Sequence, residues 1–304
     1  MKILCLGNVA YDITLPMEDY PVENVKYRLN NRVECGGGQA SNCAYLLAKW
    51  GMNVAFAGVV GNDYYGELIR KEFKDIRVDT TYLQVSNKFH TTTSTIIANT
   101  KNGSRTVLGY RSPDIKMDKV DINFEPDVIL LDGQEPEMAN YVLDKFPNAI
   151  SVIDAGRTYD EIVELAKRVN YLVCSKDFAE EITGIDINYD DPITLIELYK
   201  AMETRFSNKI VVTLEDKGCL YKDDTIKLMP SIKVTAVDST GAGDIFHGAF
   251  VYGIANGLPY EEVLKLSNIA GGLSVTKIGG RFSIPSLQEL EAVYNETEWC
   301  NFYW

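Results

Sequence analysis

Long apolar runs are absent from this chain of 304 residues, and no stretch reaches the roughly 18 residues that a membrane-spanning helix requires. The opening MKILCLGNVAYDI has neither the basic start nor the long apolar segment of a secretion signal, so a cytoplasmic location is expected. Histidine is scarce, with only His90 and His247. The six cysteines (Cys5, Cys35, Cys43, Cys174, Cys219 and Cys300) have no CxxC spacing, which leaves no zinc set and points to reduced, structural thiols. Of these, Cys35 and Cys43 flank a glycine loop and are the pair expected near a ligand. Two nucleotide fingerprints are missing as well. There is no GxxxxGK followed by Ser or Thr, and no GxGxxG follows the first strand. Repeats, low-complexity tracts and interdomain linkers are not found. Positive charge is in deficit: 30 basic against 43 acidic residues leave a net charge of −13, which argues against nucleic acid or an anionic membrane as partner.

What is present is a large apolar share, 46%, enough for one sizeable core, and an alternation of strand and helix patterns. Lys2–Ala10 reads as a buried first strand with Asp12 just past its C-terminal end. Gln39–Trp50, Val54–Val60 and Tyr65–Phe73 read as helix, strand and helix. From residue 127 the order is regular: strands Val128–Leu131, Ile150–Ile153, Tyr171–Cys174 and Ile210–Leu214, with helices Glu137–Lys145, Glu161–Val169, Asp177–Thr183 and Pro192–Phe206. Such alternation predicts a mainly parallel sheet covered on both faces, in one domain spanning residues 1–304. Gly218–Tyr221 and Ile226–Met229 read as a hairpin, and helices over Asp244–Asn256, Tyr260–Ile278 and Ser286–Tyr294 close the core. Tyr27–Cys35, Thr91–Ala98 and Arg105–Gly109 are strand-like without following helices. They predict a small β-lid from about residues 13–35 and 89–111, useful for excluding water. The aromatic tail Trp299–Trp304 fits packing on the core or on a partner subunit equally.

The chemistry concentrates in VDSTGAGDIFHGAF, Val237–Phe250. Gly241 and Gly243 allow a tight turn into a helix whose free N–H groups form an anion hole, and Asp244 follows in the first turn, where a carboxylate can take a proton from an attacking hydroxyl. Taken alone, the same residues serve equally as a capped helix after a glycine turn. Gly36–Asn42, GGGQASN, is a second glycine loop entering a helix. With Asp12 it offers the convergent amide and carboxylate groups that bind polyols, although three glycines also suit a plain turn. His247, one helical turn beyond Asp244, reads as a core or helix-surface histidine rather than a nucleotide contact. His90 has no readable role.

DSTGAGDIFHGAF resembles the signature of the PfkB/ribokinase family of small-molecule kinases. The glycine loop ending in Asn42, and Gly7-Asn8 with Asp12, resemble the family's sugar-binding elements, so that the likeness spans nearly the whole chain. It implies a ribokinase-like α/β fold and ATP-dependent phosphorylation of a primary hydroxyl on a ketose or similar polyol. By this resemblance Asp244 is the catalytic base, Gly241, Ala242 and Gly243 hold the transferring charge, and Asp12, Gly37, Gly38, Gln39 and Asn42 bind the sugar. Arg105, Thr213, Gly218 and Asn268 fall at ATP positions. Asp238, Thr240, Ser274, Lys277, Gly279 and Ser283 resemble potassium loops, with Lys277 limited to its carbonyl. Magnesium is implied with the nucleotide, but Ser175-Lys176-Asp177-Phe178 stands where ribokinase has NxxE, so that element's role does not carry over. GSRT at Gly103–Thr106 and SKD at Ser175–Asp177 are similar to the ketohexokinase branch, which has Asn where this chain has Gln39. Glu215 replaces a glycine of the family's TLGxxG turn, and Asp154 and Arg157 match only the ends of a DxNxR element. The resemblance also implies a homodimer through the lid. A nucleoside kinase of the same fold, or a non-catalytic sugar-binding regulator, are the readings left beside it.

Overall fold

The computed structural model describes residues 1–297 and 302–303. The parallel heart of the molecule comprises β1 (Lys2–Leu6), β4 (Asn53–Gly61), β5 (Asp79–Ser86), β8 (Val128–Leu131), β9 (Ile150–Ala155), β10 (Tyr171–Ser175) and β11 (Lys209–Thr213). The antiparallel β12 (Cys219–Lys222) and β13 (Ile226–Met229) extend it, and the backbone of β14 (Phe302–Tyr303) pairs beyond them. Among the described residues this makes a ten-stranded sheet in the order β14-β13-β12-β11-β10-β9-β8-β1-β4-β5. The rest of the aromatic tail lies outside the described residues.

Both faces of the sheet are buried, which explains the unbroken apolar strands: Ile3, Cys5, Val128 and Leu130 face one core, while Leu4, Leu6, Ile129 and Leu131 face the other. The first core is covered by α1 (Gln39–Lys49), α2 (Tyr64–Asp75), α7 (Ala242–Ala255), α8 (Tyr260–Ser274) and α9 (Leu287–Glu296). The second is covered by α3 (Pro136–Lys145), α4 (Asp160–Ala166), α5 (Lys176–Thr183) and α6 (Ile193–Arg205). Helices α1 and α7 approach closely because Gly248 leaves room, its missing Cβ falling 3.2 Å from Leu46. Their N-terminal ends therefore lie side by side at the carboxyl edge of the sheet, the usual ligand edge of such folds. Among the described residues no helix is long and apolar enough to cross a membrane.

A separate four-stranded sheet, β3-β2-β6-β7, is formed by β2 (Ala10–Met17), β3 (Val33–Gly37), β6 (Thr93–Asn99) and β7 (Arg105–Tyr110). Two expectations are corrected here. Residues 27–32 form no strand; pairing starts at Val33 and takes in Gly36 and Gly37, whose lack of side chains lets the strand run under Arg281 and Asp12. Asp12 does not follow the first strand, which ends at Leu6, but sits inside β2 opposite Cys35 and Ser94. Helix α8 also stops at Ser274, short of the expected Ile278.

Candidate active site

Gly241, at φ 74°, caps α7 from the left-handed region and, being glycine, makes no side-chain capping bond. Asp244 therefore does not serve as the cap. Its Oδ2 instead accepts a hydrogen bond from Asn42 Nδ2 at 2.7 Å, across 202 residues of sequence. The amide is oriented from behind, since Arg281 Nε donates to Asn42 Oδ1 at 3.3 Å. Arg281 is 2% exposed, lies 4.9 Å from the Tyr45 ring and 4.8 Å from that of Phe73, and pairs with Glu72 at 2.6 Å while also donating to Ser41. Glu72 in turn accepts from the Gly36 N–H at 3.0 Å, tying β3 into the same network.

Asp12 is buried against bare backbone: a Cβ on Gly37 would fall 2.0 Å from its Oδ2. Burial pushes its carboxyl up to about 6, opposed by the Ser94 hydroxyl and reinforced by the negative charge of Asp244. Burial also raises Asp244, against the lowering effects of the Asn42 bond and of the positive charges of His247 and Arg105. Gly38, at φ 93°, passes close over Asn8, and the Gln39 side chain turns toward Gly156. Asp132, which no sequence pattern flagged, accepts from the N–H groups of Asn8, Ala40 and Gln134 and so stitches the end of β8 to the start of α1. Cys43 donates to the Asp244 carbonyl at 3.1 Å. Burial pushes the Cys35 thiol up to about 11 and Cys43 well above the usual range, so neither is the reactive thiolate that oxidation needs.

On the other side of Asp244 opens a cleft of about 820 Å³, walled by Ala242 and Gly243 together with Arg105, Thr213, Gly218 and Asn268, all four of the expected nucleotide residues. Nothing lies within 4 Å of where a Cβ of Gly243 would stand, which leaves its backbone open to a ligand. Glu215, in the place of the family's glycine, adopts φ 53°, the conformation a glycine takes without strain. Gly218 is irreplaceable for a different reason, because its Cβ would fall 2.0 Å from the Met229 carbonyl. Ser175, Lys176 and Asp177 also line the cleft, with Ser175 capping α5. Arg105 reaches from β7 to Ser239 Oγ at 2.8 Å, docking the small sheet on the loop before α7.

The six residues of the expected potassium loops meet only in part. Asp238 accepts from Thr240 N and Oγ1 and from Gly279 N, so both its oxygens are engaged. The hydroxyls of Ser274 and Ser283 turn to the Gly271 and Gly280 carbonyls, and Lys277 Nζ pairs outward with Glu289. Among the described residues no three His, Cys, Asp or Glu side chains gather in a metal-binding cluster. His247 proves to be a core residue, and His90 is exposed near Asp63.

Chains of similar sequence and fold are found among known proteins. The chain is 27% identical to a ribokinase of Lactococcus lactis subsp. lactis, over 99% of each sequence, and 27% identical to fructokinase-1 of Oryza sativa subsp. japonica, over 85% of this chain and 88% of that one. The crystal structure of a ribokinase from Thermotoga maritima superposes with a TM-score of 0.79 at 25% identity, covering 96% of this chain and 99% of the other. Residues 1–287 match the pattern of the pfkB family carbohydrate kinases. With the family pattern matched over residues 1–287, the chain belongs to the pfkB family of carbohydrate kinases and is a phosphotransferase acting on a sugar alcohol group.

Proposed function

We propose that the protein transfers the γ-phosphoryl group of ATP to a primary hydroxyl of a ketose or similar polyol. The observation that carries this reading is the 2.7 Å bond between Asn42 and Asp244, which joins the glycine-strand side of the site to the open cleft at one carboxyl group. The acceptor would lie over Gly37 and Gly38, held by Asp12 and Asn42 with Gln39 at the wall. Its hydroxyl would give its proton to Asp244 as the oxygen attacks, while the amides of Gly241–Gly243 face the charge that develops on the transferring group. The triphosphate would occupy the 820 Å³ cleft among Arg105, Thr213, Gly218 and Asn268. Magnesium fits as a companion of the phosphates, for which one or two protein oxygens suffice, and the carboxylates of Asp177, Glu215 and Asp216 line the cleft where they would be available to hold it. It would neutralise phosphate charge there. Potassium would be left to main-chain carbonyls of the 238–240 and 277–279 loops, since the Asp238 carboxylate is already bonded.

Two features of the small sheet extend the reading. Its position over the site suits a lid that keeps water from the phosphoryl group, and every residue of β7 is exposed along an open edge, which suits pairing with a second copy. The test is a screen of purified protein with Mg-ATP against ketoses, aldoses, polyols and nucleosides, in KCl and in tetramethylammonium chloride. The expected result is ADP release with a ketose or polyol, faster in potassium. Turnover only with nucleosides, or with no acceptor, overturns the reading.

A further inference from the structure

Beneath the anion hole lies a buried ring that the chemistry above does not use. His247 is 3% exposed and sits one helical turn after Asp244. Both of its nitrogens meet acceptors: Nδ1 is 2.6 Å from the Gly243 carbonyl oxygen and 3.4 Å from Asp154 Oδ2, and Nε2 is 3.1 Å from the Val173 carbonyl oxygen. A carbonyl cannot donate. A neutral imidazole has one N–H and one lone pair, so either tautomer would set a lone pair against a buried oxygen, whereas the doubly protonated ring satisfies both. Asp154, buried at the end of β9, supplies the balancing charge.

We propose that His247 is held as an imidazolium and acts as a positioning residue, fixing the Gly243–Asp244 peptide of the anion hole and keeping the Asp244 carboxyl ionised to receive a proton. The inference rests on the reading of Asp244 as the base. The geometry gives the ring two effects. The carbonyl it binds belongs to the same peptide unit as the Asp244 N–H, so a cation on the oxygen holds that unit in plane and makes its N–H a stronger donor toward a phosphoryl oxygen. The same cation opposes the burial of the Asp244 carboxyl. Without it, Asp244 would share its surroundings with the carboxyls of Asp154 on β9 and Asp12 on β2 and with the thiol of Cys43 on α1, leaving Arg105 as the positive charge acting on it. Burial pushes the Asp154 carboxyl up to about 7 while the ring draws it down, so its balancing charge is fully developed only above that pH and the two carbonyl acceptors hold the ring below it.

Because the chain has two histidines, nitrogen-15 spectra of the full-length protein contain two imidazole sets, and His247→Asn removes one of them. The expected result is that both nitrogens of His247 carry protons throughout pH 6 to 8.5, with exposed His90 as internal reference, and that Asp154→Asn makes the ring lose a proton within that range. In kinetics, His247→Asn should move the acid limb of kcat/KM upward by about one pH unit, so that its loss relative to the parent grows as pH falls and approaches about tenfold only below the parent's own limb. A lone-pair nitrogen on His247 at pH 7 in the unaltered protein overturns the proposal, and so does a loss in His247→Asn that is equal at every pH. If no acceptor is phosphorylated, the function proposed above fails, while the nitrogen spectra still decide the charge of the ring.

Discussion

On the side of Asp244 that faces the glycine strand, Asn42, Arg281 and Glu72 are bonded to one another or to the strand and lie, with Asp12 beside them, mostly out of solvent; the cleft side is an open space lined by glycines and small polar residues, with charged side chains such as Arg105, Lys176 and Lys233 among them. The bonded part of the first side is a chain of side chains from α1, α2 and the loop after α8, each oriented by the next, while Asp12 of β2 stands beside it against Gly37 and the Ser94 hydroxyl. Altering one member leaves its neighbours with unpaired buried groups, so this side is rigid and selective. The second side offers N–H groups and open space, which suit a ligand recognised by its phosphates whatever the acceptor. Selectivity for the acceptor and tolerance at the nucleotide are thus built from different materials within one site.

Asp244 belongs to both sides, so its replacement gives the largest effect and the least informative about which side matters. Asp244→Asn should lower kcat by at least about a hundredfold, with nucleotide affinity, followed by calorimetry, within a few fold of the starting value. Loss of nucleotide binding together with activity would mean that the carboxyl is a part of the cradle and not a base.

Asp12→Asn separates the two sides more sharply. Under the function proposed here it should weaken acceptor binding by about tenfold to a hundredfold, the worth of hydrogen bonds to a charged group, while the KM for ATP stays nearly constant. It should also stabilise the unliganded protein. The native Asp12 carboxyl is raised to about 6, so between about pH 4 and pH 6 the folded state binds more protons than the unfolded one, and stability from this group falls as pH rises through that window. Above it the ionised, buried carboxyl costs up to about 3 kcal/mol, which the amide would not incur. Thermal melts should therefore place Asp12→Asn about 3–5 °C above the parent at pH 8, with the gap closing at pH 4. A variant less stable at pH 8 would show that the carboxyl is held by contacts stronger than its desolvation.

The two sides also differed in how far the sequence revealed them. The nucleotide side is made of local turns, and local turns have patterns: Thr213, Gly218 and the 241–244 turn were each legible from their neighbours, and all line the cleft or its edge. Asn42 and Asp244 were named singly, but nothing in 202 intervening residues announces that they touch. Arg281 was missed because an arginine among glycines reads as solvated, whereas two aromatic rings and Glu72 hold it in the core. Asp154 matched a motif only weakly, and its meaning comes from a histidine on another element. In the fold, β5 went unread because at the edge of the sheet only Tyr82 and Leu83 of its residues are buried, without the apolar run that marks the interior strands. Residues 27–32 have the composition of a strand, yet strand pairing begins only at Val33, so propensity had no neighbouring strand to pair with.

The smallest expected effect tests whether the cleft side is as tolerant as its construction implies. Arg105 is the cleft cation contributed by the small sheet, bound at 2.8 Å to Ser239 and otherwise in solvent, so its attraction for phosphate is screened by salt and divided with that hydroxyl. Arg105→Ala should raise the KM for ATP by about threefold to tenfold at low ionic strength, and the difference from the parent should shrink in about 0.5 M salt, where the screening length falls to a few ångströms. The KM for the acceptor should hardly move. A salt-independent loss that falls equally on both substrates would instead mean that Arg105 works by docking the small sheet on the 236–239 loop, in which case the two sides are coupled through that sheet and the division drawn between them fails.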